Sequence, residues 1–291
     1  MVSSQIHPIQ TISQKYLSKL GISNEVIVPN FENLNKLLQL HVQMIAFGNF
    51  NSYLGLNVDL NLDIITEKLL IQGREGYCIE HALLSKAALA ELGYEAFNVL
   101  CRVYYKAQPT EPPFKTHLVT MVKLNGDLYL YDPGFGGMTP SHVLSVDAKG
   151  LTQNTLNEAF RIIPVQDSNL AITAVFDMKY ILQVNVLGQW EHIYGFDAEL
   201  IAPASDIKIS NWYVSTSPSS GFTQNLMITI VQPNKRFNLN NNVLNIHELG
   251  VGSSKRVIKN IDEFKQVLVS IFKLNLDPCM VDEAFEKVLL K

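Results

Sequence analysis

The sequence predicts an α+β protein whose helices and strands are grouped along the chain rather than alternating. Apolar residues recur mostly at helical spacing from Ile12 to about Leu92, whereas the stretch after Gly93 is rich in β-forming residues with turn signals between short strands. From about Ile201, strand-like and helix-like segments are mixed. We therefore expect a helical part, then an antiparallel sheet or small barrel, and then a mixed C-terminal part.

The predicted elements follow in order along the chain. The expected helices of the first part are 12–20, 31–40, 64–70 and 79–92, and the Asn- and Gly-rich stretch 45–60 is expected to be irregular. The expected strands of the middle part are 97–105, 117–124, 128–132, 159–165, 176–187 and 190–196. In the last part we expect strands at 212–215, 222–231 and 236–249. Closing helices are expected at 261–272 and 280–290, with Asp262 and Asp282 near their N-terminal ends.

Composition excludes several classes of protein. With 291 residues, 47% of them hydrophobic and 17% charged, the chain has the profile of a globular protein. Its net charge of −4, without a basic cluster, gives no indication of a nucleic-acid or membrane partner. It has no bilayer-spanning apolar run and no signal-peptide pattern at the N-terminus, so we expect a cytoplasmic protein. Cys78, Cys101 and Cys279 are odd in number and scattered, which argues against a disulfide framework or a zinc site.

The stretch 72–81, QGREGYCIEH, has the clearest chemical meaning. It leads into predicted helix 79–92, which is rich in strong helix formers and is followed by Gly93 where a C-terminal cap would lie. Cys78 is therefore expected in the first helical turn, where unpaired backbone N–H groups carry partial positive charge. That charge stabilises a thiolate, the nucleophilic form of cysteine.

A predicted β-hairpin supplies a histidine and an aspartate. If Asn125-Gly126 forms a two-residue turn, the flanking strands pair in step from it. His117 and Asp132 then become diagonal neighbours on one face, within side-chain reach, whereas a turn longer by one residue would separate them. A carboxylate so placed can fix the tautomer of an imidazole. Together with Cys78, these residues form a candidate Cys–His–Asp triad.

Each of these features also has an ordinary structural explanation. A lone cysteine is more often an inert buried residue, and Cys101 and Cys279 keep that interpretation. A histidine at a strand start is commonly a polar residue at a sheet margin, and an aspartate before Pro-Gly commonly begins a turn. The combination of a helix-leading cysteine with a hairpin that pairs a histidine and an aspartate is more specific than any one of them.

The same residues resemble the arylamine N-acetyltransferase family over most of the chain. The family's Arg-Gly-Gly-x-Cys motif is matched by 74–78, REGYC, and is followed by the expected glutamate, Glu80. Its histidine at the head of a hydrophobic strand is matched by 116–119, THLV, and its aspartate before a Gly-Phe-Gly loop by 131–137, YDPGFGG. A later Asn-x-x-x-x-Thr-Ser-Pro-x-Ser stretch is matched by 211–220.

Three places depart from the family's pattern. Glu75 replaces the usual glycine and brings a charged side chain close to the predicted nucleophile, where it either repels the thiolate or points into solvent. Ala82 stands where an asparagine is common. Residues 45–50, IAFGNF, are a loose version of the family's Pro-Phe-Glu-Asn segment. These departures bear on substrate choice and thiolate tuning, and they leave the triad complete.

The resemblance implies a helical bundle (1–94) with the nucleophile, an antiparallel β-barrel (95–203) with His117 and Asp132, and an α/β lid (204–291). Its core would be a Cys–His–Asp arrangement like that of papain-type and transglutaminase enzymes. The implied reaction is a ping-pong transfer of acetyl from acetyl-coenzyme A, through acetyl-Cys78, to an arylamine or arylhydrazine. His117 would pair with the thiolate and then accept the amine proton, while Asp132 orients the imidazolium.

The resemblance also implies the binding residues. By motif position, coenzyme A contacts are expected at Tyr213, Ser219, Ser220 and Phe222, and acceptor contacts at Phe135 and Gly137. No metal and no tightly bound cofactor is expected, since acetyl-coenzyme A is a co-substrate. A monomer or a weak homo-oligomer is expected.

Two alternatives stay open. A thiol acyl hydrolase or an amide-forming acyltransferase would use the same triad with a different donor or acceptor, because all of these reactions pass through an acyl-cysteine. The second alternative is a non-catalytic binding module descended from such an enzyme. The intact Cys78, His117 and Asp132 count against it.

Overall fold

A computed structural model describes residues 10–290, and it confirms the predicted change from helices to antiparallel strands. The first part contains α1 (Ile12–Lys19), α2 (Phe31–Met44), β1 (Phe47–Gly48), α3 (Phe50–Tyr53), α4 (Leu62–Thr66), a π-helical turn (Glu67–Ile71) and α5 (Cys78–Glu91). All four predicted helices are present. The stretch expected to be irregular also contains β1 and α3.

The middle part forms an eight-stranded antiparallel sheet in the order β5-β4-β3-β2-β9-β8-β7-β6. Its strands are β2 (Glu95–Val103), β3 (Lys115–Leu124), β4 (Asp127–Tyr131), β5 (Leu144–Ser145), β6 (Gln153–Asn154), β7 (Ala159–Pro164), β8 (Tyr180–Val186) and β9 (Gln189–Phe196). A 3-10 turn (Val165–Asp167) and α6 (Ile172–Val175) connect β7 to β8. The Gln153 side chain accepts from the Ser145 N–H (2.7 Å) and donates to the Ser145 carbonyl (3.0 Å). These bonds join the two ends of the sheet into a nearly closed, barrel-like form.

The last part contains α7 (Ala204–Thr216), α8 (Gly221–Gln224), β10 (Met227–Gln232), β11 (Lys235–Asn240), β12 (Val243–Glu248), β13 (Gly252–Val257), α9 (Ile261–Ser270) and α10 (Pro278–Leu289). Its strands form a second antiparallel sheet in which β1, from the first part, pairs with β10. Buried side chains of α9 and α10 pack with this sheet in one apolar cluster. The three-domain division at residues 94 and 203 stays a prediction.

The predicted hairpin between β3 and β4 is confirmed in register. Leu124 pairs with Asp127, and Asn125 and Gly126 have φ values of 54° and 93°. Positive φ at both central residues is the type I′ geometry that matches the twist of paired strands. The ladder ends one residue before Asp132, and the side chains of His117 and Asp132 nevertheless meet beyond it.

The predicted strand at 212–215 is wrong, because these residues belong to helix α7. Bulky and β-branched residues favoured a strand locally, but the buried positions of α7 recur at helical spacing, so tertiary packing overrides the local preference. The buried residues are Ile207, Ser210, Asn211, Val214 and Ser215.

Several boundaries in the last part also differ from expectation. Strand β10 begins after the short helix α8, and 236–249 is split into β11 and β12. Strand β13 was not predicted, since its residues are all exposed and lack an alternating apolar pattern. Asp262 lies in the first turn of α9, whereas α10 is capped by Asp277 instead of Asp282.

A buried chain of hydrogen-bonded neutral side chains from α1 and α2 connects the end of β4 with the turn before α5. It runs Tyr131–Tyr16–His41–His81 and ends on the Gly76 carbonyl, with successive distances of 2.8, 2.8, 2.7 and 3.0 Å. All four side chains are 0% exposed. Because a carbonyl only accepts, His81 Nε2 donates to it, and each neutral ring then accepts from the side chain before it. The chain thereby links the end of β4 to the turn that precedes Cys78.

Burial keeps both histidines of this chain neutral. It lowers the pKa of His81 to about 4, and burial with the neighbouring His81 lowers the pKa of His41 well below 6.5. Among the helices that the structure describes, none is long and apolar enough to cross a membrane.

We expect the His41–His81 pair to make folding sensitive to acid. An unfolded histidine binds a proton near pH 6.5, whereas folded His81 does so only near 4, so stability falls as pH drops through that window, by on the order of 3 kcal/mol. Urea unfolding between these pH values measures the loss. The double variant His41→Phe/His81→Phe should flatten this acid-dependent loss of stability, and the control His247→Phe, at a partly exposed position of β12, should keep it. An unchanged acid limb in the double variant would contradict the assignment.

Candidate active site

Cys78 is the first residue of α5 and so lies in the first helical turn, where it was predicted. Glu80 closes the start of this helix, because its Oε2 accepts the Tyr77 N–H at 3.1 Å. The Cys78 side chain is nearly buried, at 3% exposed, and its sulfur lies 3.6 Å from the Thr116 carbonyl oxygen. The sulfur is therefore at the positive end of a helix dipole and beside the strand that carries His117.

His117 and Asp132 form a buried pair. His117 Nε2 lies 2.9 Å from Asp132 Oδ2, and both side chains are nearly inaccessible to solvent. The same Oδ2 accepts the Tyr194 hydroxyl at 2.8 Å, and Oδ1 accepts the Gly134 N–H at 2.9 Å. Three donors therefore hold the carboxylate in one orientation, as a buried charge requires.

The surroundings of His117 favour its charged form. Burial alone would lower the pKa of its imidazole, but the charge and hydrogen bond of Asp132, together with those of Cys78, raise it to about 10. Since Nε2 is engaged by Asp132, Nδ1 is the ring nitrogen left for the sulfur. The geometry can therefore support a thiolate–imidazolium pair oriented by a carboxylate.

The loop after β4 packs directly against the first turn of α5. A Cβ placed on Gly134 would lie 3.0 Å from Cys78 Cα and 3.2 Å from His81 Cβ, so only glycine fits without displacing the helix. This approach brings Asp132 and Cys78 together, although the pattern of neither segment alone indicates it.

Tyr194 is a site residue that the sequence analysis missed. It lies on β9, inside a correctly predicted strand, and is separated from Asp132 by 62 positions. Burial and the Asp132 charge raise the pKa of the Tyr194 hydroxyl well above 10, so it stays a donor. Its ring also lies 4.8 Å from the His117 ring. A tyrosine in a strand has no local pattern that distinguishes it from a core residue.

The predicted acceptor residues lie in different surroundings. The Phe135 ring meets the His117 ring edge-on, with centroids 5.1 Å apart, and also packs on Tyr194 at 5.4 Å. Gly137 lies close to Asn238 of β11, at the second sheet. The structure thus brings Phe135, but not Gly137, into contact with His117.

The predicted coenzyme A residues lie on α7, on α8 and in the turn between them. The Tyr213 ring packs on the Phe114 ring, with centroids 4.7 Å apart and the planes tilted by 51°. The Phe222 ring lies 5.7 Å from the ring of Tyr77, the residue before Cys78. Ser220 is buried: its hydroxyl donates to the Val214 carbonyl (2.7 Å) and caps α8. Ser219 is exposed.

The other cysteines are placed differently. Cys101 pairs directly with His117 in the β2–β3 ladder, but burial, with the charges of Asp132 and Cys78, raises its thiol pKa well above 9. Cys279 is exposed on α10. Within residues 10–290, no group of three or more His, Cys, Asp and Glu side chains is arranged to hold a metal ion.

Comparison with known proteins identifies relatives over most of the chain. A family described as N-acetyltransferase matches residues 30–281. Arylamine N-acetyltransferases of Mycobacterium tuberculosis and Mycolicibacterium smegmatis are each 32% identical, covering 85% and 88% of this chain and 84% and 88% of their own. The structure of Mycobacterium marinum arylamine N-acetyltransferase in complex with CoA superposes with a TM-score of 0.84 at 32% identity, over 94% of this chain and 98% of that one.

We expect Asp132→Asn to move the alkaline loss of stability to lower pH. His117 contributes stability that is fully present below 6.5, its unfolded pKa, and is lost as pH rises through about 10, its folded pKa. Removing the Asp132 carboxylate lowers the pKa of His117 in the folded protein, so the stability contributed by His117 is lost at lower pH. Urea midpoints across the window measure the effect. Asp177→Asn, which removes a carboxylate paired with Arg102 and Lys115, is the matched control. If both variants lose stability over the same alkaline pH range, Asp132 is not what raises the pKa of His117.

Proposed function

The chain belongs to the arylamine N-acetyltransferase family and is an acyltransferase, and we propose that it moves an acetyl group from acetyl-coenzyme A to the nitrogen of an arylamine or arylhydrazine by way of acetyl-Cys78. The observation that carries this proposal is the buried His117–Asp132 pair at 2.9 Å, with the Cys78 sulfur at the start of α5 and 3.6 Å from the carbonyl of Thr116, the residue before His117. The 32% identity to relatives with that name supports it.

In the first half-reaction, the Cys78 thiolate attacks the thioester carbonyl of acetyl-coenzyme A. The bond between the carbonyl carbon and the coenzyme A sulfur breaks, and the proton on His117 goes to the leaving thiolate. The products are acetyl-Cys78, coenzyme A and neutral His117. The charged state that Asp132 and Cys78 favour in the resting enzyme supports this role for His117 as the proton donor.

In the second half-reaction, the amine nitrogen attacks the acetyl-Cys78 carbonyl, and the carbon–sulfur bond breaks. Neutral His117 accepts the proton that the nitrogen loses, which restores the thiolate–imidazolium pair. Asp132 keeps the ring oriented through both steps, and its bonds from Tyr194 and Gly134 prevent it from turning away.

We further propose that Phe135 and Gly137 line the acceptor pocket, and that coenzyme A binds near Tyr213, Ser219, Ser220 and Phe222. The ring contact of Phe135 with His117 supports the acceptor assignment, and the ring contact of Phe222 with Tyr77 supports the coenzyme A assignment. Because the Ser220 hydroxyl is already engaged by Val214, its contribution would be to shape the turn. A relative, the Mycobacterium marinum enzyme, has been solved in complex with CoA.

Intact mass after incubation with acetyl-coenzyme A and no acceptor tests the proposal. We expect a single acetyl adduct that is absent in Cys78→Ala and is discharged by an added arylamine. An adduct that water alone discharges rapidly would favour the thiol acyl hydrolase. An adduct retained in Cys78→Ala, or none under any condition, would contradict the proposal.

Alkylation by iodoacetamide at neutral pH should distinguish Cys78 from the other thiols. Accessibility alone would make exposed Cys279 the most reactive, since Cys78 is 3% exposed and Cys101 0%. We expect Cys78 to react much faster than either, because a charged His117 stabilises its nucleophilic form. Peptide mapping gives the three rates. His117→Gln should lower the alkylation rate of Cys78 by roughly tenfold or more and leave the alkylation rate of Cys279 unchanged. Reactivity in order of exposure would contradict a nucleophilic Cys78.

A further inference from the structure

Glu75, three residues before Cys78, is a buried acidic residue outside the proposed triad. Its side chain is 0% exposed, so it does not point into solvent. Its Oε1 lies 3.4 Å from Arg74 Nη2 and 4.0 Å from Lys68 Nζ. Within the described part of the chain, its Oε2 has no hydrogen-bond partner. A buried carboxylate is costly unless it is paired, so these two cations are what makes this position possible.

The Glu75 side chain occupies the space beside Gly48. A Cβ built on Gly48 would lie 2.5 Å from Glu75 Cγ and 2.9 Å from Glu75 Cβ. The backbone leaves little room for adjustment there, because the Gly48 N–H donates to the Gly76 carbonyl at 2.8 Å. A side chain can therefore enter this space from position 48 or from position 75, but not from both.

The carboxylate belongs to a balanced network that reaches the helix of Cys78. Arg74 also donates to Asn51 Oδ1 at 2.7 Å, and Lys68 donates to Glu80 Oε1 at 2.8 Å. Glu80 in turn accepts the Tyr77 N–H at the start of α5. Two cations and two carboxylates thus connect α3 and the π-helical turn with the residues that lead into Cys78.

Both positions depart from the family pattern, and the departures are reciprocal. In the Pro-Phe-Glu-Asn segment, Phe47 and Asn49 match and Gly48 stands at the glutamate. In Arg-Gly-Gly-x-Cys, Glu75 stands at a glycine. We propose that these are one exchange: the buried carboxylate is supplied from position 75 instead of position 48, and it acts as a positioning residue that fixes the turn 74–78 and so presents Cys78 to His117. The positioning role rests on the function proposed for Cys78; the shared space does not.

The proposal predicts opposite effects of one substitution in two backgrounds. Gly48→Glu alone should lower the thermal midpoint sharply, because it adds a clash with Glu75 and one more buried carboxylate. Glu75→Gly alone should lower the midpoint and slow Cys78 alkylation by roughly tenfold, since Lys68 and Arg74 lose the carboxylate that they share and the turn shifts. The double variant Gly48→Glu/Glu75→Gly should recover both quantities. Gly48→Glu is thus harmful in the wild type and beneficial beside Glu75→Gly.

Melting curves and peptide-mapped iodoacetamide rates are measured on the same four proteins, with exposed Cys279 as the internal reference for alkylation. If Gly48→Glu does not fold, Glu75→Gly and the double variant still decide the question. Glu75→Gln keeps the shape of the side chain and removes its charge. This variant should also slow the alkylation of Cys78 and leave the alkylation rate of Cys279 unchanged. Additive losses in the double variant would overturn the exchange. If the double variant recovers the thermal midpoint but the Cys78 alkylation rate is the same in all four proteins, the positioning role is overturned. The acetyl adduct on Cys78 still tests the proposed function separately.

Discussion

The structure depends on a buried carboxylate that must be neutralised where no water reaches it. Asp132 meets this constraint with the His117 imidazole, the Tyr194 hydroxyl and the Gly134 N–H, all within 2.9 Å. Each donor comes from a different place: β3, β9 and the loop after β4. The barrel-like sheet therefore has to close far enough to bring β9 across from β3, and the loop has to pack on α5 at Gly134. The charge that Asp132 favours on His117 is also the charge that a nucleophilic Cys78 needs.

Two buried polar networks of different character hold the start of α5. One is neutral, and it runs from Tyr131 through His41 to His81 and the Gly76 carbonyl. The other is charged, and it joins Arg74, Lys68 and two glutamates to the same turn. The neutral chain has a single proton order because its last acceptor is a carbonyl. In the charged network, Lys68 and Arg74 compensate the buried carboxylates of Glu75 and Glu80. Together they restrict the backbone on either side of Cys78.

Local patterns were sufficient to predict part of this arrangement. The Asn125-Gly126 turn fixes the register of its strands, and the register alone brings His117 near Asp132; helix formers followed by a glycine cap likewise place Cys78 at a helix start. Contacts between distant segments have no such local pattern. Tyr194 resembles any strand tyrosine, and the tie between Gly48 and Glu75 is visible only once both backbones are in place. The failure at 212–215 has the same cause, since packing of α7 outweighs the β preference of its residues.

The chemistry proposed for Cys78 requires a charged His117, and ring-labelled histidine NMR measures the protonation state of this imidazole. At about pH 8 an ordinary histidine is neutral. We expect one imidazole to remain charged at that pH, to titrate near 10, and to be absent from the spectrum of His117→Gln. In Asp132→Asn the same resonance should titrate at lower pH. If His117 is already neutral at about pH 8 in the wild-type protein, the thiolate–imidazolium account of this site is wrong.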